Sequence, residues 1–204
     1  AVLAELSKLV ENADRASLKK LADAAEKLTN GNYTSDSLGK LNDAIDKAKD
    51  ALEGNDDAAI EDAYADLIDA ITNLEMKGNK AALKAMLAKA ADILANADAY
   101  VASTIDGLAT AKADAQNVYD NADAVQSEIN AAVKSLTLKI AAARLLGDVN
   151  GDGTVTTSDS VSVLAASAEL TSLDADAAAS ADVNGDGVVD TLDAALILQT
   201  AAEK

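Results

Sequence analysis

Asp148-Val149-Asn150-Gly151-Asp152-Gly153-Thr154-Val155-Thr156-Thr157-Ser158-Asp159 is matched 34 positions later by Asp182-Val183-Asn184-Gly185-Asp186-Gly187-Val188-Val189-Asp190-Thr191-Leu192-Asp193. Oxygen-bearing side chains stand at positions 1, 3 and 5 of each stretch: Asp148, Asn150 and Asp152, then Asp182, Asn184 and Asp186. Such a set suits a hard cation that takes six to eight oxygen ligands, and Gly153 and Gly187 at position 6 permit the sharp turn that a ligand loop needs. The spacing therefore predicts a duplicated calcium loop holding two Ca²⁺. Position 7 contributes a backbone carbonyl, from Thr154 or Val188. Position 9 is Thr156 in the first loop, acting through water, and Asp190 in the second, where it adds a charged ligand. Asp159 and Asp193 close the loops at position 12. The extra carboxylate predicts the tighter site in the second loop.

An Asp at position 12 departs from the general EF-hand pattern, which has a bidentate Glu there. Leu146-Gly147-Asp148-Val149-Asn150, Ala181-Asp182-Val183-Asn184, the two closing Asp and an apolar helix after each loop together resemble the dockerin module. The resemblance covers Gly147 to Lys204. It implies two EF-hand-like loop-helix calcium motifs and a cohesin domain as partner, on a scaffold or another secreted enzyme. It also implies cohesin contacts at positions 10, 11, 17, 18 and 22 of each repeat. In the first these are Thr157, Ser158, Leu164, Ala165 and Glu169; in the second, Thr191, Leu192, Leu198, Gln199 and Glu203. Hydroxyls suit a flat partner surface, and Leu192 and Leu198 offer an apolar anchor, which favours the second helix. Packing of Leu164 and Leu198 inside the module is the competing reading. Val155 and Val189, at position 8, are expected to pair as a short backbone bridge coupling the two sites.

Upstream, apolar residues recur at helical spacing, as in Leu18, Leu21, Ala25 and Leu28, or Leu38, Leu41, Ala44, Ile45 and Ala48. Breaks fall at Asn30-Gly31-Asn32, Glu53-Gly54-Asn55 and Lys77-Gly78-Asn79. Three helices up to Leu74 follow from this pattern, with the stretch before Asp14 either extending the first helix or ending an upstream module. A second copy is legible in the register: Tyr33, Ser37, Leu38, Leu41, Ala44 and Ala48 recur 67 positions later as Tyr100, Thr104, Ile105, Leu108, Ala111 and Ala115. Ala63, Leu67 and Ile71 recur as Ala132, Leu136 and Ile140, two residues further out, so a two-residue insertion lies between. Tyr33-Thr34-Ser35-Asp36-Ser37-Leu38 is similar to the FIVAR module, a three-helix bundle found in tandem in secreted proteins, with Leu38 and Ile105 where that family commonly has Trp and Val101 replacing the Thr.

The fold class expected is all-α: a FIVAR-like bundle over 1–77, a second over 78–146 and a dockerin over 147–204. With no Pro anywhere and no spacer between Leu146 and Asp148, the last bundle helix should dock rigidly near the first loop, giving a stiff rod. Tyr33 and Tyr100 are read as packing staples rather than sugar platforms.

Composition limits the functions open to the chain. The net charge is −18, and residues 148–204 hold eleven Asp and Glu against Lys204 alone. Such acidity argues against nucleic acid or an anionic membrane as partner, and predicts a tail that is loosely folded until cations offset the repulsion. Nothing in the sequence offers about 18 consecutive apolar residues for a membrane span. The chain has no His and no Cys, which removes Ser-His and Cys-His nucleophiles and His-ligated metal hydrolysis. The expected protein is a non-catalytic, secreted docking tail, monomeric when free and attached to the cell surface through its scaffold. The bundles act as a rigid spacer for a glycan-degrading or glycan-binding parent, from which a chain starting at Ala1 without a signal peptide looks excised. A surface adhesin fragment whose bundles bind glycan or host matrix is the alternative. A calcium sensor would expose a Met-rich groove, but Met76 and Met86 both lie outside the tail.

Overall fold

A computed structural model describes residues 14–203, so the reading of residues 1–13 lies outside the described residues. Among them are nine α-helices and no strand. These are α1 (Arg15–Ala25), α2 (Ser35–Glu53), α3 (Asp57–Thr72), α4 (Ala81–Ala95), α5 (Leu108–Asp120), α6 (Gln126–Ala142), α7 (Thr157–Ser167), α8 (Ala175–Ala181) and α9 (Thr191–Ala202). The chain is all-α, as its periodicity requires.

The first three helices start where a side-chain oxygen can take up free N–H groups. Asp14 accepts from Ser17 N, Thr34 from Ser37 N and Asp56 from Ala58 N. They close around Leu18, Leu41 and Leu67, all fully buried, with Ile45, Ile60 and a set of alanines between them. Each buried leucine contributes about 1.5–3 kcal/mol relative to exposure, and the small alanines let the helix axes approach. Among the described residues, backbone contacts define two compact units, 14–79 with 120–129, and 80–119 with 130–203.

Burial follows the repeat. Leu41 and Leu108, Ala48 and Ala115, Ile60 and Ile129, and Leu67 and Leu136 are buried in pairs, the first two pairs 67 residues apart and the last two 69. One element breaks the correspondence, because α5 begins at Leu108, well beyond the residue equivalent to the start of α2. Val101 stands where Thr34 caps α2 and has no oxygen to offer. A 3₁₀ turn, Ala102–Thr104, takes its place, and the α-helix starts after Gly107 in a left-handed conformation at φ +72°.

A backbone clamp recurs in both copies. Thr34 N–H donates to the Glu75 carbonyl and Lys77 N–H to that of Asn32, each at 2.8 Å. Their equivalents are Val101 to Arg144 at 2.9 Å and Leu146 to Ala99 at 2.8 Å. The hydroxyls of Ser37 and Thr104 reinforce it by accepting from the N–H of Glu75 and Arg144, at 3.2 and 3.0 Å. Tyr33 and Tyr100, half-buried, sit in the two clamps as bridge residues opposite Met76 and Leu145. A glycine follows each clamp: Gly78 N–H donates to Ala124 O at 2.8 Å and Gly147 N–H to Ser180 O at 2.7 Å. Gly78 has no room for a side chain, since a Cβ would lie 2.8 Å from Gln126 N and 2.9 Å from Gln126 Cα.

In the tail, α7 and α9 pack on each other around Val163 and Ile197, with Val149, Val155, Ala177, Ala181 and Ala194 completing the core. Ser160 Oγ, buried, donates to Ala194 O at 2.7 Å. Residue 194 is the repeat equivalent of residue 160, so the helices cross at corresponding positions.

Candidate metal centre

Each loop is wound on its first and last carboxylates. In the first loop Asp148 Oδ1 accepts from Gly151 N and Asp152 N, at 2.8 and 3.1 Å, and Oδ2 from Gly153 N at 2.9 Å. Asp159 Oδ1 accepts from Val149 N and Asn150 N, and its Oδ2 from the N–H and hydroxyl of Thr156, all within 3.0 Å. The second loop repeats the plan more loosely. Asp182 accepts from Asp186 N and Gly187 N, and Asp193 from Val183 N, Asn184 N and Asp190 N. Asp159 and Asp193 are fully buried, a costly placement for carboxylates that these donors offset.

The oxygen-bearing side chains at positions 3 and 5 are tied locally. Asn150 Oδ1 and Asn184 Oδ1 accept from the N–H of Asp152 and Asp186, while their amide groups donate to the same two carboxylates. The Thr154 hydroxyl, 2.6 Å from Asp152 Oδ1, holds that carboxyl below its usual range, aided by the Asn150 amide and the Thr154 N–H. Thr156 and Asp190, at position 9, are the N-caps of α7 and α9, each forming a capping box with the Asp three residues on. Position 9 therefore starts the helix as well as facing the loop.

Among the described residues no three acidic side chains already form a closed metal cage, because the carboxylates point at loop N–H groups. The donor set nevertheless fits a hard cation. Every side-chain ligand atom on offer is an oxygen, Gly153 and Gly187 are left-handed at φ +88° and +83°, and the carbonyls of Thr154 and Val188 accept no hydrogen bond from the described residues. A carboxylate offers about four lone-pair sites. In the first loop seven of eight on the two end carboxylates are in use; in the second, five of eight.

The residues expected to meet a partner are on the surface. Thr157, Ser158, Leu164, Glu169, Thr191, Leu192, Leu198, Gln199 and Glu203 are exposed, and Ala165 is half-buried. Leu164 and Leu198 keep nearly half their surface open, so each is packed in part and leaves the rest of its side chain on the face of its helix. Val161 and Leu170 are also exposed and lay outside the family positions. Glu169 adopts φ +58° at the end of α7, where Leu170 N–H reaches back to Ala165 O and Glu169 N–H to Ala166 O. The expected bridge between Val155 and Val189 is absent among the described residues. Both side chains instead serve the tail core, and the two repeats are joined by the Ser160 hydroxyl.

Sequence reasoning missed Arg144. Its Nε donates to Asp148 O at 3.0 Å and an Nη to Val149 O at 2.6 Å, grasping the first loop from outside. The available signal was an arginine at the threshold of an almost purely acidic segment.

Residues 146–200 match the family model described as the Dockerin type I domain. The match supports an EF-hand-like, calcium-binding, cohesin-docking module at this end of the chain, and a docking module rather than a catalytic one. No curated protein and no solved structure matches the chain. Among the described residues no helix is long and apolar enough to cross a membrane.

Proposed function

We propose that the chain is a non-catalytic, secreted docking tail that plugs a glycan-degrading or glycan-binding parent protein into a cohesin-bearing scaffold of cellulosome type. The family match over 146–200 carries the reading. Two Ca²⁺ are held, one by Asp148, Asn150, Asp152, Thr154 O, Thr156 and Asp159, the other by Asp182, Asn184, Asp186, Val188 O, Asp190 and Asp193. Bound cations would neutralise loop carboxylates that otherwise repel one another, so the docking faces depend on calcium. The spare lone pairs of the second loop and its additional carboxylate favour the tighter site there. The partner is met by the exposed faces of α7 and α9. Residues 1–77 and 78–146 are FIVAR-like bundles serving as rigid spacers, and 147–204 is the docking module. The recurrent clamps around Tyr33 and Tyr100 support a packing role for those tyrosines.

Calorimetric titration of the whole chain against a panel of cohesins, with calcium and then with excess EDTA, tests the proposal. Tight binding lost on chelation is expected. If no cohesin binds although calcium does, the docking reading fails, and glycan binding by residues 1–146 becomes the question to answer.

A further inference from the structure

We infer that Arg144 is a positioning residue for the first calcium loop, and that through it cation binding in that loop is coupled to the joint with the preceding helices. The inference rests on the ligand assignment proposed above. Main chain and side chain of Arg144 serve different parts of the molecule. Its N–H donates to Thr104 Oγ1 at 3.0 Å and its carbonyl accepts from Val101 N at 2.9 Å, so its backbone belongs to the clamp. The guanidinium reaches past Gly147 to the carbonyls of Asp148 and Val149, at loop positions 1 and 2. A planar fork can hold two neighbouring carbonyls at once, which an ammonium on a flexible stem cannot reproduce. Among the described residues no carboxylate pairs with Arg144, so these carbonyls are what satisfies it.

Neither carbonyl is the proposed ligand, since that role falls to Thr154 at position 7. Arg144 thus steadies the outside of the loop while Asp148 collects N–H groups on the inside, without competing for the cation. Gly151, left-handed at φ +74°, lies against the guanidinium; a Cβ there would be 3.3 Å from an Nη. The second loop has no such hold, because the residue 34 positions after Arg144 is Ala178. Asp148 is almost fully buried whereas Asp182 is half-exposed, consistent with one anchored loop and one free loop. Coupling is reciprocal, so whatever the clamp contributes to calcium affinity, calcium returns to the clamp.

Calcium is titrated into the full chain without cohesin, following the amide resonances of Gly153 and Gly187 as separate reporters of the two loops. Arg144→Ala should move the Gly153 midpoint several-fold to weaker binding and leave that of Gly187 in place, with Arg144→Lys displaced in the same direction. Calcium-dependent protection of the Val101 and Leu146 amides from hydrogen exchange should be lost in both variants. Thr104→Val, remote from the loop, should shift Gly153 in the same sense by less. An unmoved or tightened Gly153 midpoint in both arginine variants, or equal shifts at the two glycines, overturns the positioning role. A silent Thr104→Val overturns the coupling to the joint. Failure of the wild-type chain to bind calcium at all would instead sink the ligand assignment.

Discussion

The loops 148–159 and 182–193 share nine of twelve residues, yet they do not sit alike. The first is pinned from outside by Arg144, buries Asp148 and uses nearly every lone pair of its end carboxylates on its own N–H groups and the Thr156 hydroxyl. The second has Ala178 at the equivalent position, leaves Asp182 half-exposed and keeps lone pairs in reserve. A repeated motif therefore sets the chemistry of a site, while its neighbours decide how firmly that chemistry is held before a ligand arrives.

The largest effect expected is from deleting a closing carboxylate. Asp159→Ala strands four donors and Asp193→Ala three, around a fully buried carboxylate position, so each should cost the calcium-free tail about 2–4 kcal/mol, with Asp159→Ala the more severe. Thermal unfolding in EDTA measures this; the reverse order would contradict the picture of a tighter first loop. Exchanging position 9 comes next. Asp190→Thr should weaken calcium binding at the second loop by about tenfold, and Thr156→Asp should strengthen the first by a similar factor, because each changes one negative charge beside the cation. Calorimetry on both variants would erase the comparison if neither affinity moves. Ser160→Ala removes the buried hydroxyl shared between the repeats and should cost about 1 kcal/mol, felt at both loops alike. Reporter glycines that respond at one loop alone would show that the crossing does not connect them.

The smallest effect concerns pH. In calcium-free protein Asp152 has a folded pKa below its ordinary value, so its contribution to stability is present above that ordinary value and is lost as pH falls through the lowered one. Thr154→Val, which copies Val188 of the second loop, removes the main cause. Titration of Asp152 by NMR should then give an upward shift, and no shift would mean that the hydroxyl is not what holds it.

Much of this was legible in the sequence because loops and helix stops depend on residue type. Glycine at position 6, Asp and Asn at alternating positions and Gly or Asn at helix ends each have a backbone or ligand requirement that few other residues meet. The recurrence of Ser37 as Thr104 marked a register, but not the clamp behind it, since backbone hydrogen bonds leave no side-chain signature. The late start of α5 could have been read from Val101, which cannot cap a helix. The bridge expected at Val155 and Val189 failed because an apolar side chain at position 8 satisfies the core whether or not its backbone finds a partner. Arg144 escaped notice because its fork holds main-chain carbonyls, for which no particular sequence is required.

The glycine that follows each clamp bears on how such a chain can change length over evolutionary time. Removing residues 78–146 would bring Lys77 directly before Gly147, and each would keep the backbone role it already has, Lys77 closing a clamp and Gly147 donating to Ser180. The number of copies is thus adjustable with no new seam to invent. The residue 69 positions before Arg144 is Glu75, however, an acceptor where the tail requires a donor. Shortening by one copy would preserve the backbone seam but forfeit the guanidinium's hold on the first loop and the coupling it carries, so the copy next to the tail is the one that cannot be exchanged freely.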